Sequence, residues 1–121
     1  IYEICNEVGE FYGISPELLM AIAFKESSFN QYSTNGNCKG LMQVNTVLHK
    51  EKIADCGGDW SDKETNIKAA AKVLTEIAEA GYCDLGLMMA KYHGETNLDV
   101  ESNYVQEVGT IAYYLEVIHG K

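Results

Sequence analysis

The sequence contains no arginine, no Cys-x-x-Cys pair and no long apolar run. Without arginine the chain lacks the guanidinium groups that make bidentate contacts to phosphates and carboxylates. Its 18 acidic residues against 9 lysines give a net charge of −9. Both properties argue against nucleic acid as a partner, because phosphate neutralisation dominates nucleic-acid affinity. No run approaches the roughly 20 apolar residues of a membrane-spanning helix, so we expect no such segment. An uncharged glycan is a more compatible partner.

The four cysteines are too widely spaced for a usual zinc site, and we expect neither a metal nor an organic cofactor. They are Cys5, Cys38, Cys56 and Cys83. Their even number permits two disulfides in three pairings, and free buried thiols are equally consistent with the sequence. The length of 121 residues fits one domain, residues 1–121, with a modest core. Because the sequence begins with an apolar residue inside a predicted helix, we expect a domain excised from a larger protein, with any export signal outside it.

The stretch 15–45 organises the chain around one carboxyl group. Ser15 is a favourable helix N-cap, and Pro16 suits the first helical position. Apolar residues then recur at helical spacing, and they are Leu18, Leu19, Ile22 and Ala23. At this spacing Glu26 lies on or beside the apolar face, near the helix C-terminus. Burial and the negative end of the helix dipole both disfavour a charged carboxylate there, which suits a general acid.

Glu26 has no carboxylate partner nearby, because 27–50 contains neither Asp nor Glu. Most glycosidases use two carboxyl groups that flank the scissile bond. Either the partner comes from further along the chain, or the reaction needs only one carboxyl group. A solvated Glu26 paired with Lys25 or Lys39 at the surface is the alternative without catalysis.

Several short motifs resemble, in order, those of a lytic transglycosylase domain of the soluble type, which has a goose-type lysozyme-like fold. The motifs are Glu26-Ser27, Ser33-Thr34-Asn35-Gly36, Gly40-Leu41-Met42-Gln43-Val44-Asn45, Asn66-Ile67, Tyr92-His93-Gly94 and Tyr104-Val105. The resemblance spans roughly residues 14–115. It implies cleavage of bacterial peptidoglycan between N-acetylmuramic acid and N-acetylglucosamine, without addition of water. One catalytic Glu leaves a 1,6-anhydro-muramoyl end, which fits the missing second carboxylate.

The resemblance also implies roles for residues other than the catalytic Glu26. Ser33 corresponds to a substrate-positioning Ser, although Thr34 competes for that role because the loop is one residue longer than in many relatives. Gln43 is implied to hydrogen-bond the glycan and Met42 to line the sugar site. An amide suits this contact because it both donates and accepts. A turn Ser and a core Met are the structural alternatives.

The late Tyr-His-Gly motif departs from the family pattern, which has Ala-Tyr-Asn followed closely by Gly. We assign Tyr92 to the family Tyr, since a phenol can bond the catalytic carboxyl and cover a sugar face. His93 replaces the Asn, so it either takes over that residue's contact or is an ordinary helix-end His. Tyr104 matches the family's late Tyr and is expected to point toward Glu26.

The remaining periodicity predicts a mainly helical, all-α protein. Apolar stripes indicate helices over 1–12, 61–80, 84–93 and 101–119, and a further helix over 46–54. Residues 27–39 lack a clear period and are rich in Ser, Asn and Gly, so we expect a loop with a short hairpin at Asn35-Gly36. Ser61 and Glu64 have capping-box spacing at the start of the third long helix.

Two other functions remain open from the sequence alone. A muramidase would add water, with Asp55, Asp59 or Glu64 folded back as the second carboxylate. A catalytically silent domain would bind peptidoglycan without cleaving it. The resemblance places the activity outside the cell at the wall, in a monomeric domain encoded by a bacterium, a phage or a mobile element.

Overall fold

The computed structural model describes residues 1–94 and 103–121. Within these ranges the chain forms six helices and one small antiparallel sheet. The elements are α1 (Tyr2–Tyr12), α2 (Pro16–Ser27), β1 (Thr34–Asn35), β2 (Cys38–Lys39), β3 (Val44–Asn45), α3 (Lys50–Cys56), α4 (Lys63–Glu79), α5 (Leu85–His93) and α6 (Asn103–Ile118). This confirms the mainly helical, lysozyme-like fold class. Among the described helices, none combines the length and apolar character needed to cross a bilayer.

Helix α2 begins as its sequence predicts. The Ser15 hydroxyl oxygen accepts a hydrogen bond from the Leu18 backbone N–H at 3.3 Å, and Pro16 occupies the first turn. The helix packs against α1 and α6, and its residues Leu18, Leu19, Ala21, Ile22 and Ala23 are buried, whereas Phe24 is 46% exposed. Burial of these side chains stabilises the fold by about 25 cal/mol per Å² of apolar surface. Glu26 therefore stands at the end of a helix that contributes to the core.

The small sheet is formed by the segment between α2 and α3. β1 and β2 make the predicted hairpin, with Asn35 opposite Cys38 and Gly36 at a φ of 62°. The left-handed conformation at Gly36 is the one that a tight hairpin turn requires. Strand β3, which the sequence analysis did not predict, pairs with β2 and places Val44 opposite Lys39.

Two helix starts differ from the predictions. α4 is capped by Asp62, whose carboxylate accepts from the Thr65 N–H at 2.9 Å, and not by Ser61. α3 begins at Lys50, and not at 46, because the Asn45 side chain accepts hydrogen bonds from the next backbone N–H groups and forms a separate turn. By contrast, α5 begins after Asp84 as predicted.

Two apolar residues of the amphipathic helices α1 and α6 are exposed. Phe11 is 81% exposed at the edge of the α1 stripe, and Ile118 is 76% exposed in the last turn of α6. Apolar side chains at the edge or end of an amphipathic helix often remain in water. The predicted start of the last helix at 101–102 lies outside the described residues.

A second carboxylate is buried at the opposite end of α2. Glu17 is 1% exposed and lies in the first turn, where the helix dipole favours an anion. Lys121 Nζ donates to Glu17 Oε1 at 2.8 Å, and His119 Nδ1 lies 2.8 Å from Oε2. Tyr2 donates its hydroxyl to Oε2 at 3.3 Å. These contacts fasten the C-terminal end of the chain to the start of α2.

Candidate active site

Glu26 occupies the last turn of α2 with its side chain 17% exposed. Burial raises the pKa of the Glu26 carboxyl above its usual range. The Tyr104 hydroxyl, the His93 imidazole and the Lys25 ammonium act in the opposite direction, because each favours the ionised form. Burial outweighs them. The group is therefore suited to hold a proton closer to neutral pH than a solvated Glu does.

The residue after Glu26 fastens the loop that faces it. The Ser27 hydroxyl oxygen lies 2.7 Å from the carbonyl oxygen of Leu41 and 2.9 Å from that of Ala23. One short side chain thus joins the end of α2 to the Gly40–Gln43 segment. From the sequence, Ser27 was known only as part of a motif, and this contact could not be foreseen.

Asn66 holds the same loop from the opposite side. It is completely buried on α4, and its side-chain oxygen accepts from the Met42 N–H at 2.7 Å. Its amide nitrogen donates to the carbonyl groups of Lys39 and Trp60, each at 3.0 Å. A buried amide with three such bonds fixes the loop backbone firmly. The sequence signal for this role is an Asn on the apolar face of a helix, because a buried polar side chain needs hydrogen-bond partners.

Gly40 is required by this arrangement. Its φ is 86°, and a Cβ atom built there would overlap the Asn66 amide and lie 2.8 Å from the Trp60 carbonyl oxygen. The glycine therefore allows the loop backbone to approach Asn66 closely enough for the hydrogen bonds to form.

Gln43 adopts a φ of 53°, a rare conformation for a residue with a side chain. Its amide nitrogen donates to the carbonyl groups of Ser33 at 3.1 Å and Gly40 at 3.0 Å. Ser33 is half-buried beside Gln43, whereas Thr34 is exposed on the hairpin. The structure thus brings Ser33 and Gln43 together through the Ser33 backbone.

Met42 reaches the site only through its backbone. Its side chain has no exposed surface, and it belongs to the hydrophobic core. The Met42 carbonyl accepts a hydrogen bond from the Tyr92 hydroxyl at 2.8 Å. The Tyr92 proton is thus directed at the loop, and not at Glu26 as the resemblance suggested. Burial, followed by the Glu26 charge, raises the pKa of Tyr92 well above its usual range.

His93 and Tyr104 stand beside Glu26. His93 Nδ1 lies 3.8 Å from Glu26 Oε2, and the His93 side chain is 42% exposed. The His93 ring stacks on the Tyr104 ring with centroids 3.9 Å apart and an interplanar angle of 13°. The ends of α2 and α5 and the start of α6 therefore meet at the carboxyl group.

A pocket of about 340 Å³ opens next to this cluster, between the segment 38–49, α4 and α5. Gln43, Tyr92 and His93 line it, together with Cys38 and His49. Apolar side chains from α4 complete its walls. The site thus combines a partly buried acid with a pocket of mixed polar and apolar character, as ligand sites commonly do.

Comparison with known proteins identifies the family. The model of the family described as Transglycosylase SLT domain matches residues 3–112. This chain belongs to that family. Protein IpgF of Shigella sonnei is 34% identical over 83 residues, which cover 60% of this chain and 53% of IpgF. The chain thus spans about half the length of this curated relative, and no solved structure matches.

The SLT family is one of lytic-transglycosylase-type activity on peptidoglycan, and this general activity is what family membership supports. The catalytic, positioning and substrate-binding roles of individual residues stay predictions. The matched region includes Glu26, the loop that faces it, and the side chains of Tyr92, His93 and Tyr104.

The carboxylates considered as partners for a hydrolytic member of the family lie elsewhere. Asp55 and Glu64 line a separate pocket between α1, α3 and α4. Asp55 lies 4.0 Å from Lys72, and Glu64 lies 3.6 Å from Lys68. Asp59 accepts hydrogen bonds from the Ser61 N–H and hydroxyl. None of the three is among the groups that shift the pKa of Glu26.

All four cysteines of this SLT domain are free thiols. Burial raises the pKa of Cys5 to about 12, so this thiol is inert core. Cys38 is half-buried in the site pocket, where burial and the nearby Glu26 charge raise its pKa. Within the described ranges, no group of three or more acidic, His or Cys side chains is arranged to hold a metal ion.

Proposed function

We propose that this SLT domain cleaves peptidoglycan strands between N-acetylmuramic acid and N-acetylglucosamine without water, with Glu26 as the sole general acid and base. The observation that carries the proposal is the environment of Glu26. It is a partly buried carboxyl group with a raised pKa, next to a pocket, and no described carboxylate is among the main groups that act on its pKa. Such a group suits a reaction in which one residue first donates and then accepts a proton.

The reaction begins with the Glu26 proton. Glu26 gives it to the glycosidic oxygen, the bond from that oxygen to C1 of N-acetylmuramic acid breaks, and C1 gains oxocarbenium character. The C6 hydroxyl of the same sugar then attacks C1. Its proton passes to the Glu26 carboxylate, which restores the acid and leaves a 1,6-anhydro ring. The substrate supplies the nucleophile, so no second carboxylate takes part.

The neighbouring residues are assigned to holding the glycan. Because both amide hydrogens of Gln43 are used in loop hydrogen bonds, we assign its side-chain oxygen to a sugar N–H or hydroxyl. The Ser33 hydroxyl contacts the N-acetyl group. Tyr92 and His93 line the pocket, and a ring face suits the apolar face of a sugar. Tyr104 orients Glu26, and the Met42 carbonyl oxygen holds the Tyr92 side chain in the wall of the sugar site.

The location of the substrate sets the location of the activity. Peptidoglycan lies outside the cytoplasmic membrane, so we propose that the domain acts at the bacterial cell wall. The net charge of −9 disfavours binding to the anionic polymers of a wall and favours recognition through neutral sugar groups.

The test is to digest purified peptidoglycan and weigh the soluble fragments by mass spectrometry, with Glu26→Gln in parallel. We expect fragments one water lighter than reducing muropeptides from the wild type and none from the variant. Reducing ends would mean hydrolysis and a muramidase. Binding without soluble products from folded wild-type protein would mean a catalytically silent domain.

A further inference from the structure

The SLT chain carries a titratable group where the family motif has an amide. His93 stands at the Asn position of the Tyr-Asn motif, and its Nδ1 atom lies 3.8 Å from Glu26 Oε2. That distance is too long for a direct hydrogen bond but within the range of a strong charge interaction or of one bridging water. An Asn at this place cannot change its charge, whereas a histidine changes charge close to physiological pH.

The position of the imidazole is fixed from two directions. Its ring is stacked on Tyr104, which is buried, with the planes only 13° apart. Its backbone lies in the last turn of α5, which ends at Gly94 in a left-handed cap. The negative end of the helix dipole stabilises a cation in a last turn. The ring is thus held with Nδ1 3.8 Å from Glu26 Oε2, in a place that accepts the protonated form.

Besides Tyr104, whose hydroxyl also favours the ionised form of Glu26, the charged and titratable groups around the pair interact with other residues or are neutral. Lys25 on α2 acts on Glu26 but also forms an ion pair with Glu107 on α6. Lys91 on α5 lies over the Tyr82 ring. Tyr92 on α5 and Cys38 on β2 are neutral at physiological pH, because burial and the Glu26 charge raise the pKa of each. His49, across the pocket, has Lys52 and Glu76 as its charged neighbours.

We propose that His93 is a positioning residue that shares one proton with Glu26, so that the pair, and not Glu26 alone, sets the pH range of glycan cleavage. The inference rests on the proposed role of Glu26. When the pair holds one proton, the buried environment of Glu26 favours the form with a neutral carboxyl and a neutral imidazole. This is the form that can protonate a glycosidic oxygen.

The second proton has a different effect. When His93 is also protonated, its charge stabilises the Glu26 carboxylate that remains after Glu26 has protonated the leaving oxygen. A stabilised carboxylate is a weaker base toward the C6 hydroxyl proton, so the closing step slows. Proton number is conserved, because the proton lost from C6 returns to Glu26 and His93 keeps its own. Activity is therefore expected to fall on the acid side as the imidazole becomes charged.

The direct test follows the carboxyl group without any substrate. We would titrate protein with ¹³C-labelled Glu side chains by NMR, using Glu26→Gln to assign the Glu26 signal. In the wild type we expect a two-step curve, because strongly interacting groups titrate as a pair. Two variants remove the imidazole in different ways. His93→Asn restores the family amide, and His93→Phe keeps a ring to stack on Tyr104.

In both variants we expect Glu26 to titrate in one step, because the second titrating group of the pair is gone. The acid limb of the pH–activity profile should disappear in parallel. His49→Asn makes the same change in the same pocket away from Glu26, and it should leave the two-step curve intact. A Glu26 curve that is unchanged in either folded His93 variant would overturn the proposal.

The two proposals fail in different ways. If Glu26→Gln digests peptidoglycan like the wild type, the proposed catalytic role is wrong, while the NMR titration still reports whether the two groups share a proton. If Glu26→Gln is inactive but the Glu26 curve is independent of His93, the catalytic role stands and the proton-sharing inference is wrong.

Discussion

Helix α2 carries a buried carboxyl group at its start and a partly buried one at its end, and their environments are opposite. Burial raises the pKa of Glu17, but hydrogen bonds from Lys121 and His119 outweigh it and bring the pKa below its usual range. Burial likewise raises the pKa of Glu26, and there the opposing groups are too weak to reverse it. One residue type on one helix thus has a lowered pKa at the N-terminus and a raised pKa at the C-terminus.

The comparison teaches that burial alone does not make a catalytic acid. Both groups are withdrawn from water, and the difference lies in what surrounds them. Glu17 has Lys121 and His119 within 3.1 Å and the favourable end of the helix dipole. Glu26 has the unfavourable end, and the His93 imidazole lies 3.8 Å away. The loop facing Glu26 is held by neutral hydrogen bonds from Ser27 and Asn66, which leave the acid uncompensated.

The largest expected effect comes from removing the Glu26 carboxyl group. Glu26→Gln should reduce glycan cleavage by about 10³-fold or more, because general acid–base catalysis alone contributes about 10²–10⁴-fold and we propose that Glu26 performs both steps. At neutral pH the variant should unfold at the same temperature as the wild type or higher, since a carboxylate that is ionised against its environment is gone. Muropeptide release and a thermal melt of the same sample measure both quantities.

The next effect tests how the neutral loop is held. Asn66→Ala removes three hydrogen bonds and leaves the Met42 N–H buried without its partner, so we expect a loss of about 3 kcal/mol in the free energy of unfolding.

Gly40→Ala should lower the free energy of unfolding by at least about 2 kcal/mol, because the left-handed backbone is strained for alanine and the added Cβ overlaps Asn66.

A matched glycine provides the control. Gly36 also has a positive φ, of 62°, but nothing lies within 4 Å of the position of an added Cβ atom. Gly36→Ala should therefore cost only about 1 kcal/mol, from backbone strain alone. Urea unfolding of the two alanine variants makes the comparison. Equal losses would mean that contact between Gly40 and Asn66 does not constrain the loop.

A smaller effect is expected at the charged end of α2. Glu17→Gln should lower the free energy of unfolding by about 2 kcal/mol, less than for a fully buried ion pair because Lys121 and His119 are partly in water. Cleavage per folded molecule should be retained, since Glu17 is at the opposite end of the helix from Glu26. Urea unfolding and activity corrected for the folded fraction check this. A large loss of corrected activity would show that the two ends are coupled.

The sequence predicted the elements better than it predicted the partners of each side chain. Apolar spacing, Ser15, Asp84 and the Asn35-Gly36 turn are local signals, and each led to an element that the structure contains. The ion pair between Glu17 and Lys121 could not be predicted, because the two residues are 104 positions apart and only the fold brings them together.

The candidate site divides along the same line. The raised pKa of Glu26 follows from its place on the apolar face, and it was expected from the sequence. The hydrogen bond from Tyr92 to the Met42 carbonyl joins residues 50 positions apart, and the sequence favoured Glu26 as the partner of Tyr92. The place of Asn66 on the apolar face of a helix signalled a need for hydrogen-bond partners, but not which ones, because they are backbone groups of a loop that is distant in sequence.

The smallest expected effect is the most specific to the comparison, because the two carboxyl groups should change stability in opposite directions with pH. The pKa of Glu17 is lowered by folding, so its stabilisation is complete above the usual Glu value of about 4.3 and is lost as the pH falls through the folded pKa. The pKa of Glu26 is raised by folding, so its unfavourable contribution is absent at acid pH and develops as the pH rises through the usual value to the folded pKa.

Melting temperatures of three proteins between about pH 3 and pH 8 would test this, because linkage converts each pKa shift into a slope of stability with pH. The deficit of Glu17→Gln relative to the wild type should shrink as the pH falls. The advantage of Glu26→Gln should grow from acid to neutral pH, by a few degrees at most for a domain of this size. If both variants followed the same pH course, the two ends of α2 would not differ electrostatically, and the assignment of Glu26 as the uncompensated acid would lose its physical basis.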